Sequence, residues 1–245
     1  MTQVNRRERD RSGTDRDIRR QARELLVTQG PQAVTLRAIA RELGITAPAL
    51  YRYYASREDL IAHLRADVCA DLAVGLGKAL AEVPQTDHIG QVLAICRGFR
   101  AWALHHPQEF ALVFASPAAA PGENCAIAAA DTGTESFGQI FLTVAGRVLA
   151  TGILLAKPDE PVPTDMRADL TRFRDDLVVN MAATGVAVPS ELVGVGTAYA
   201  MLRFWVRLYG QVALEVFGQF PFPVSDAEPM FESMLDDLVR DVGLR

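Results

Sequence analysis

The sequence predicts an all-α protein, with a small N-terminal helical head followed by a larger helical body. Three observations carry this reading. Apolar residues recur at i, i+3, i+4 and i+7 along most of the chain, and no stretch alternates with period two for long. Residues 35–60, TLRAIARELGITAPALYRYYASREDL, fit two short helices about a tight turn that run straight into a third helix. Proline falls where one periodic segment ends and the next begins.

The opening residues 1–14 lack apolar periodicity and are expected as a flexible basic arm. A helix follows from about Asp15 to Gln29, with Ile18, Ala22, Leu25 and Leu26 as its inner stripe and Gly30-Pro31 as its stop. In the central stretch Thr35 is a good N-cap, and Leu36, Ile39, Ala40 and Leu43 give one apolar face. Gly44 supplies the left-handed residue that ends the helix and turns the chain. Ile45 re-enters the core, Thr46 caps a second helix, and Pro48 sits in its first turn, where a missing N–H costs nothing.

In that second helix Leu50 and Tyr54 face inward, which leaves Ala47, Tyr51, Arg52 and Tyr53 toward solvent. A small residue, two tyrosines and an arginine on an exposed short helix suit a DNA major groove. Alanine permits close approach, tyrosine hydroxyls reach phosphates, and arginine reaches a phosphate or a guanine edge. The arrangement reads as a helix-turn-helix over residues 35–54, with Ala47 to Tyr53 as its recognition helix. On this reading Thr35 and Tyr51 contact phosphates, and Thr46 contacts a phosphate or a base. Arg37, Ala47, Pro48 and Arg52 lie near base edges, with Tyr53 beside them. Arg6, Arg7, Arg9 and Arg11 of the arm either follow the DNA or form a solvated tail, since Glu8 and Asp10 offset part of their charge.

The run Thr35-Leu36-Arg37, Ile39-Ala40, Leu43-Gly44-Ile45, Ala49 to Tyr54 and Ser56 to Leu60 resembles the TetR family of bacterial repressors. Tyr54 stands where that family usually has Phe, and Arg57 replaces its phosphate-binding lysine. Both swaps keep size or charge, so the resemblance implies a phosphate contact for Arg57. The head then spans residues 15–75 and the regulatory body residues 76–245, joined by a long helix from Ser56 to Pro84. Glu58 and Asp59 complement the positive start of that helix. Leu60, Ile61, Leu64, Val68, Leu72 and Leu76 give it an apolar stripe.

In the body, helices are expected over Asp87–His106, Gln108–Ala115, Thr134–Leu155, Thr164 or Asp165 to Ala183, Pro189–Phe217 and Ser225–Val242, with residues 116–133 as a loop. The segments WALHHPQEFALVF and RFWVRLYGQVALEVFG resemble a TetR-type C-terminal subclass with a Trp, His, Gly signature. Here Trp205 and Gly210 remain, and Tyr209 stands in for His. The resemblance implies a homodimer formed through the last two long helices, with Leu202, Trp205, Leu208, Tyr209, Val212, Phe231, Met234, Leu235 and Leu238 as its surface. It also implies a cavity for a small organic effector. The candidate lining is Phe99, Trp102, Ala103, His106, Phe110, Phe114, Phe137, Phe141, Thr143, Arg147 and Phe173. Repression of a palindromic operator, relieved by that ligand, is the family's usual outcome. The alternative is a DNA-binding regulator without a small-molecule ligand, controlled by a protein partner or by cysteine oxidation.

Composition and charge agree. The net charge is −5, yet residues 1–60 hold 12 Lys+Arg against 8 Asp+Glu, while the rest hold 13 against 22. The basic excess sits at the DNA-reading stretch, and an acidic body discourages non-specific contact. Residues 1–24 are charged throughout and read as no signal peptide; the most apolar run, Ile140–Ala156, is broken by Arg147 and too short to span a bilayer. A cytoplasmic location is expected. Cys69, Cys96 and Cys125 are widely spaced and read as reduced thiols, with Cys125 in a loop where a redox role is open. His63, His88, His105 and His106 fall in no triad or zinc spacing, and no nucleotide fingerprint occurs. No enzyme activity, metal or cofactor is therefore expected.

Overall fold

A computed structural model of the chain describes residues 3–115, 137–151, 158, 159, 161–183, 185, 186, 188 and 192–244, without the side chains of residues 3–12 and Phe137. These residues are helical throughout their regular parts, and no strand occurs among them. They divide into two compact units. One takes residues up to Asp71 together with the described residues from His106 to Ala115; the other takes Leu72–His105 and the described residues from 137 onward.

The first unit contains α1 (Gln3–Gln29), α2 (Leu36–Glu42), α3 (Ala47–Leu50), the start of α4 (Arg57–Ala81) and α6 (Pro107–Phe110), which continues into a π-helical turn over Ala111–Ala115. Helix α1 begins at Gln3, well ahead of the expected Asp15, so the described part of the arm is helical rather than irregular. Its Arg, Glu and Gln residues are good helix formers, which favours helix without any apolar periodicity. The inner stripe of α1 packs with Val34, Leu36, Ile39, Ala40, Leu50, Tyr54, Leu60, Ile61 and Leu64 in one core. Leu112 joins that core, and Arg65 Nε donates to its carbonyl oxygen at 3.1 Å. Residues 106–115 therefore belong with the head, although the sequence reading assigned them to the body.

Both turns of the head are built as the residues dictate. Gly44 takes φ +64°, and Ile45 N–H donates to Ala40 O while Gly44 N–H donates to Arg41 O. This pair of bonds closes the end of α2 and needs the left-handed residue. At the start of α4, Ser56 Oγ accepts from Asp59 N–H at 3.1 Å, and Asp59 Oδ2 accepts from Ala55 N–H at 2.9 Å. Two orphan amides at the helix entry are thereby satisfied.

The second unit contains α5 (His88–His105), α7 (Phe137–Ala150), α8 (Arg167–Ala183), α9 (Val195–Val216) and α10 (Glu228–Asp241), with the far end of α4. Helix α9 packs against α5, α8 and α10, and α7 against α5 and α8. Gly98 of α5 lets the far end of α4 approach, since a Cβ there would sit 3.0 Å from Leu76 Cδ2. Helix α9 starts at Val195 rather than Pro189, where Asp159 Oδ1 accepts from Gly196 N–H at 2.7 Å. Helix α10 starts at Glu228 rather than Ser225, its first amide held by Asp226 Oδ1 at 2.9 Å. Both starts follow acidic side chains that satisfy the first amides, a signal that apolar spacing does not carry. No helix among the described residues is long and apolar enough to cross a membrane. The expected loop 116–133 and the ends expected for α7 at Thr134 and Leu155 lie outside the described residues.

Candidate nucleic-acid interface

The interface is built from the turn upward. Thr35 Oγ1 accepts from Ala38 N–H at 3.1 Å, so its hydroxyl oxygen caps α2. Thr46 stands at the N-cap position of α3 but makes no side-chain cap bond. The hydroxyl of an exposed threonine is thus left at the entry to the reading helix. Arg37, Thr46, Pro48, Tyr51 and Arg52 are exposed, while Leu36, Ile39, Ala40, Leu50 and Tyr54 are sealed inside.

Regular helix in α3 ends at Leu50, and Tyr51–Tyr53 continue as a tightened turn, with Tyr53 N–H donating to Leu50 O at 2.9 Å. This shortening brings a correction. Ala47 and Tyr53, expected toward solvent, are half-buried and pack against the head core. Arg57 is also committed within the chain. Its Nε donates to Val34 O and its Nη2 to Pro31 O, both at 2.7 Å, which braces the connection between α1 and α2 against the start of α4.

Beneath this surface lies a polar frame. Tyr54 Oη donates to Asp15 Oδ1 at 2.6 Å. Burial, with the Asp15 carboxylate beside it, holds that hydroxyl far above the ordinary tyrosine range. Arg19 pairs with Asp15 at 3.1 Å and Asp67 at 2.9 Å. Arg23 pairs with Asp71 and with Glu109, whose side chain is only 2% exposed, and His106 Nδ1 lies 2.5 Å from the other Glu109 oxygen. Spacing arguments did not find this frame, because its partners lie far apart in sequence. The available signals were the Asp15–Arg19 pair at i, i+4 and the tyrosine in place of phenylalanine at position 54.

The candidate effector residues do not gather in one place. Phe99 and Phe141 meet edge-on, with ring centroids 6.1 Å apart, and Trp205 lies 5.6 Å from Phe99 and 5.9 Å from Phe141. Tyr209 stacks on Trp205 at 5.9 Å. Trp205 and Tyr209, both half-buried, therefore join an aromatic cluster within the chain. Ala103 is buried and Trp102 half-buried on the same helix as Phe99.

His106, Phe110 and Phe114 fall in the first unit, where the two phenylalanine rings pair at 4.9 Å. Thr143 Oγ1 donates to Gln139 O of its own helix, Arg147 is half-buried on α7, and Phe173 packs against the core of Leu142, Leu149, Leu177 and Met181. The side chain of Phe137 lies outside the described residues.

Of the expected dimer surface, Leu208, Val212, Phe231, Leu235 and Leu238 are buried within the chain, and Leu202 and Met234 are half-buried. The apolar face read from spacing is mostly core, because helices α9 and α10 pack on α5 with their most apolar sides. Cys96 is a buried free thiol, and burial pushes it well above its ordinary range. Cys125 lies outside the described residues.

Two family models match this chain. One, described as "Bacterial regulatory proteins, tetR family", covers residues 18–64, and one described as "Tetracyclin repressor-like, C-terminal domain" covers residues 92–238. Among curated relatives, the HTH-type transcriptional regulators Mb1846 of Mycobacterium bovis and Rv1816 of Mycobacterium tuberculosis are each 30% identical over 222 residues, covering 86% of this chain and 87% of theirs. Among solved structures, a protein assigned a regulatory role, SCO4313, aligns with a TM-score of 0.63 at 28% identity, over 95% of this chain and 98% of its own.

Proposed function

This chain belongs to the TetR family, a transcriptional regulator with a helix-turn-helix DNA-binding domain, and from that premise we propose that it is a ligand-released repressor. In this reading a cytoplasmic homodimer, without catalytic activity, binds a palindromic operator. The observation that carries the proposal is the exposed set Arg37, Thr46, Pro48, Tyr51 and Arg52, standing on a turn whose inner face is sealed. Tyr51 and Thr46 serve phosphates, and Thr35 adds to them from the start of α2. Arg37, Pro48 and Arg52 face base edges, with Ala47 and Tyr53 setting how closely the turn approaches. Arg57 positions the turn through Pro31 and Val34 and meets phosphate with its remaining N–H groups.

Arg52→Ala is expected to cost about 1–3 kcal/mol at one base position. Competition binding against operator variants substituted one base at a time checks this. Uniform weakening across all variants, with the salt slope reduced by about one, would place Arg52 on phosphate instead.

The dimer surface in this proposal is the outward side of α9, opposite Leu208 and Val212. Val206 is 57% exposed, Leu214 and Phe217 stand beside it on the same face, and Gly210 lies between them at i+4 from Val206. A Cβ at Gly210 would meet nothing within 4 Å, so nothing within the described chain calls for glycine there. A mid-helix glycine costs about 1 kcal/mol relative to alanine, which close approach of a partner helix offsets.

For the effector we assign the half-buried rings of Phe141, Trp205 and Tyr209, which pack with the buried Phe99 and suit a flat organic molecule. Its ligand is expected to quench or shift Trp205 emission and to weaken operator binding by about 5- to 150-fold. A compound that shifts the emission at saturation yet leaves operator affinity unchanged would contradict this step.

A further inference from the structure

A second site lies away from the aromatic cluster, where the chain turns from α9 into α10. Leu104, Phe220, Pro221, Phe222 and Val224 line a groove of about 540 Å³, and Glu215 forms part of its wall. Phe222 is 66% exposed.

Glu215 is the polar feature of this wall, and its side chain is only 4% exposed. Its Oε2 accepts from Arg100 Nε at 2.8 Å, while its Oε1 is enclosed without a hydrogen-bond partner among the described residues. A buried carboxylate oxygen without a donor is costly to keep.

The neighbouring charges do not supply one. Arg97 is committed to both oxygens of Glu232, at 2.8 and 2.6 Å. Arg100 divides itself between Glu215 and Glu228 and lies over the Phe231 ring at 4.8 Å. Three carboxylates thus face two guanidinium groups, leaving one negative charge in excess beside an apolar groove.

We propose that this groove binds a small organic cation, an ammonium group on an aromatic-sized apolar body. In the complex the Glu215 side chain turns its enclosed Oε1 toward the groove to accept from the ammonium, and the body lies against Phe220 and Phe222. A hard metal ion would need several further oxygen ligands, which these apolar walls do not offer. The site is independent of the effector reading above and of DNA binding.

The test titrates the full-length protein with 2-phenylethylammonium, neutral 2-phenylethanol and 3-phenylpropionate, followed by calorimetry and by the methyl NMR signals of Leu104 and Val224. The ammonium compound is expected to shift those methyls and to bind about tenfold more tightly than the alcohol, as one charge-assisted bond provides. The carboxylate should bind weakest. Glu215→Gln should remove the preference for the ammonium compound over the alcohol. If that variant fails to fold because Arg100 loses its partner, Phe222→Ser, at an exposed position, should still weaken the ammonium compound severalfold. Equal binding of amine and alcohol, or silent Leu104 and Val224 methyls at millimolar amine, would overturn the proposal. Affinity that falls as protein concentration rises would also overturn it, by giving the groove to a second copy of the chain.

Discussion

Replacing Val206 and Leu214 together by aspartate is expected to leave a folded monomer that has lost operator binding by about 10²–10⁴-fold, the range in which two linked modules exceed one. Both residues lie on the side of α9 that faces away from Leu208 and Val212, so the substitution leaves the described core untouched. In the proposed dimer, two aspartates in each partner would replace apolar contacts by four like charges, and charge left unpaired there costs more than lost area. Gly210→Leu gives an independent variant, since a side chain at that position clashes with nothing in the same chain but blocks a close helix pair. Sedimentation equilibrium reads the assembly and fluorescence anisotropy reads the operator. A double variant that remains dimeric, or a monomer with undiminished affinity, would contradict the assignment of this face.

Arg23→Met is expected to destabilise the head by about 3–5 kcal/mol, as breaking a buried ion pair from one side does. Glu109 is sealed, and Arg23 supplies the guanidinium to its Oε1. Without Arg23 the carboxylate keeps, among the described residues, His106 beside it, while Asp71 loses the guanidinium it pairs with. Arg23→Met with Glu109→Leu should recover much of the loss, because neither charge is then stranded. Urea denaturation followed by far-UV circular dichroism, analysed as a double-mutant cycle, separates the pair from the packing around it. A cost below about 1 kcal/mol for the single variant would match a solvent-screened surface pair and would refute a structural role for Glu109 in the head.

The head was largely legible in the sequence because its structure is local. Thr35, the stripe from Leu36 to Leu43, Gly44 and Pro48 each state their backbone role at one position, and the folded turn matches them. What spacing missed is what depends on distant partners. The place of Leu112 rests on contacts with the head core and with Arg65, which a helical period cannot reveal. Arg57 reads as a free cation until Val34 and Pro31 are seen to hold it. On α9 the apolar side was visible, but two apolar sides exist. The stronger one, through Leu208 and Val212, meets neighbours within the chain, so the outward side marked by Val206, Gly210 and Leu214 carries the weaker signal.

In the proposed regulator the exposed residues of α2 and α3 from two subunits read one specific sequence. Selection of genomic fragments by the purified protein, followed by binding to the recovered site across a salt series, is the decisive measurement. A pseudo-palindrome whose half-sites lie about one helical turn, roughly 34–36 Å, apart is expected. Binding should remain far above that to unrelated DNA as salt rises. Diffuse recovery, with binding that collapses equally for every fragment as salt increases, would mean that the head meets phosphates without reading bases.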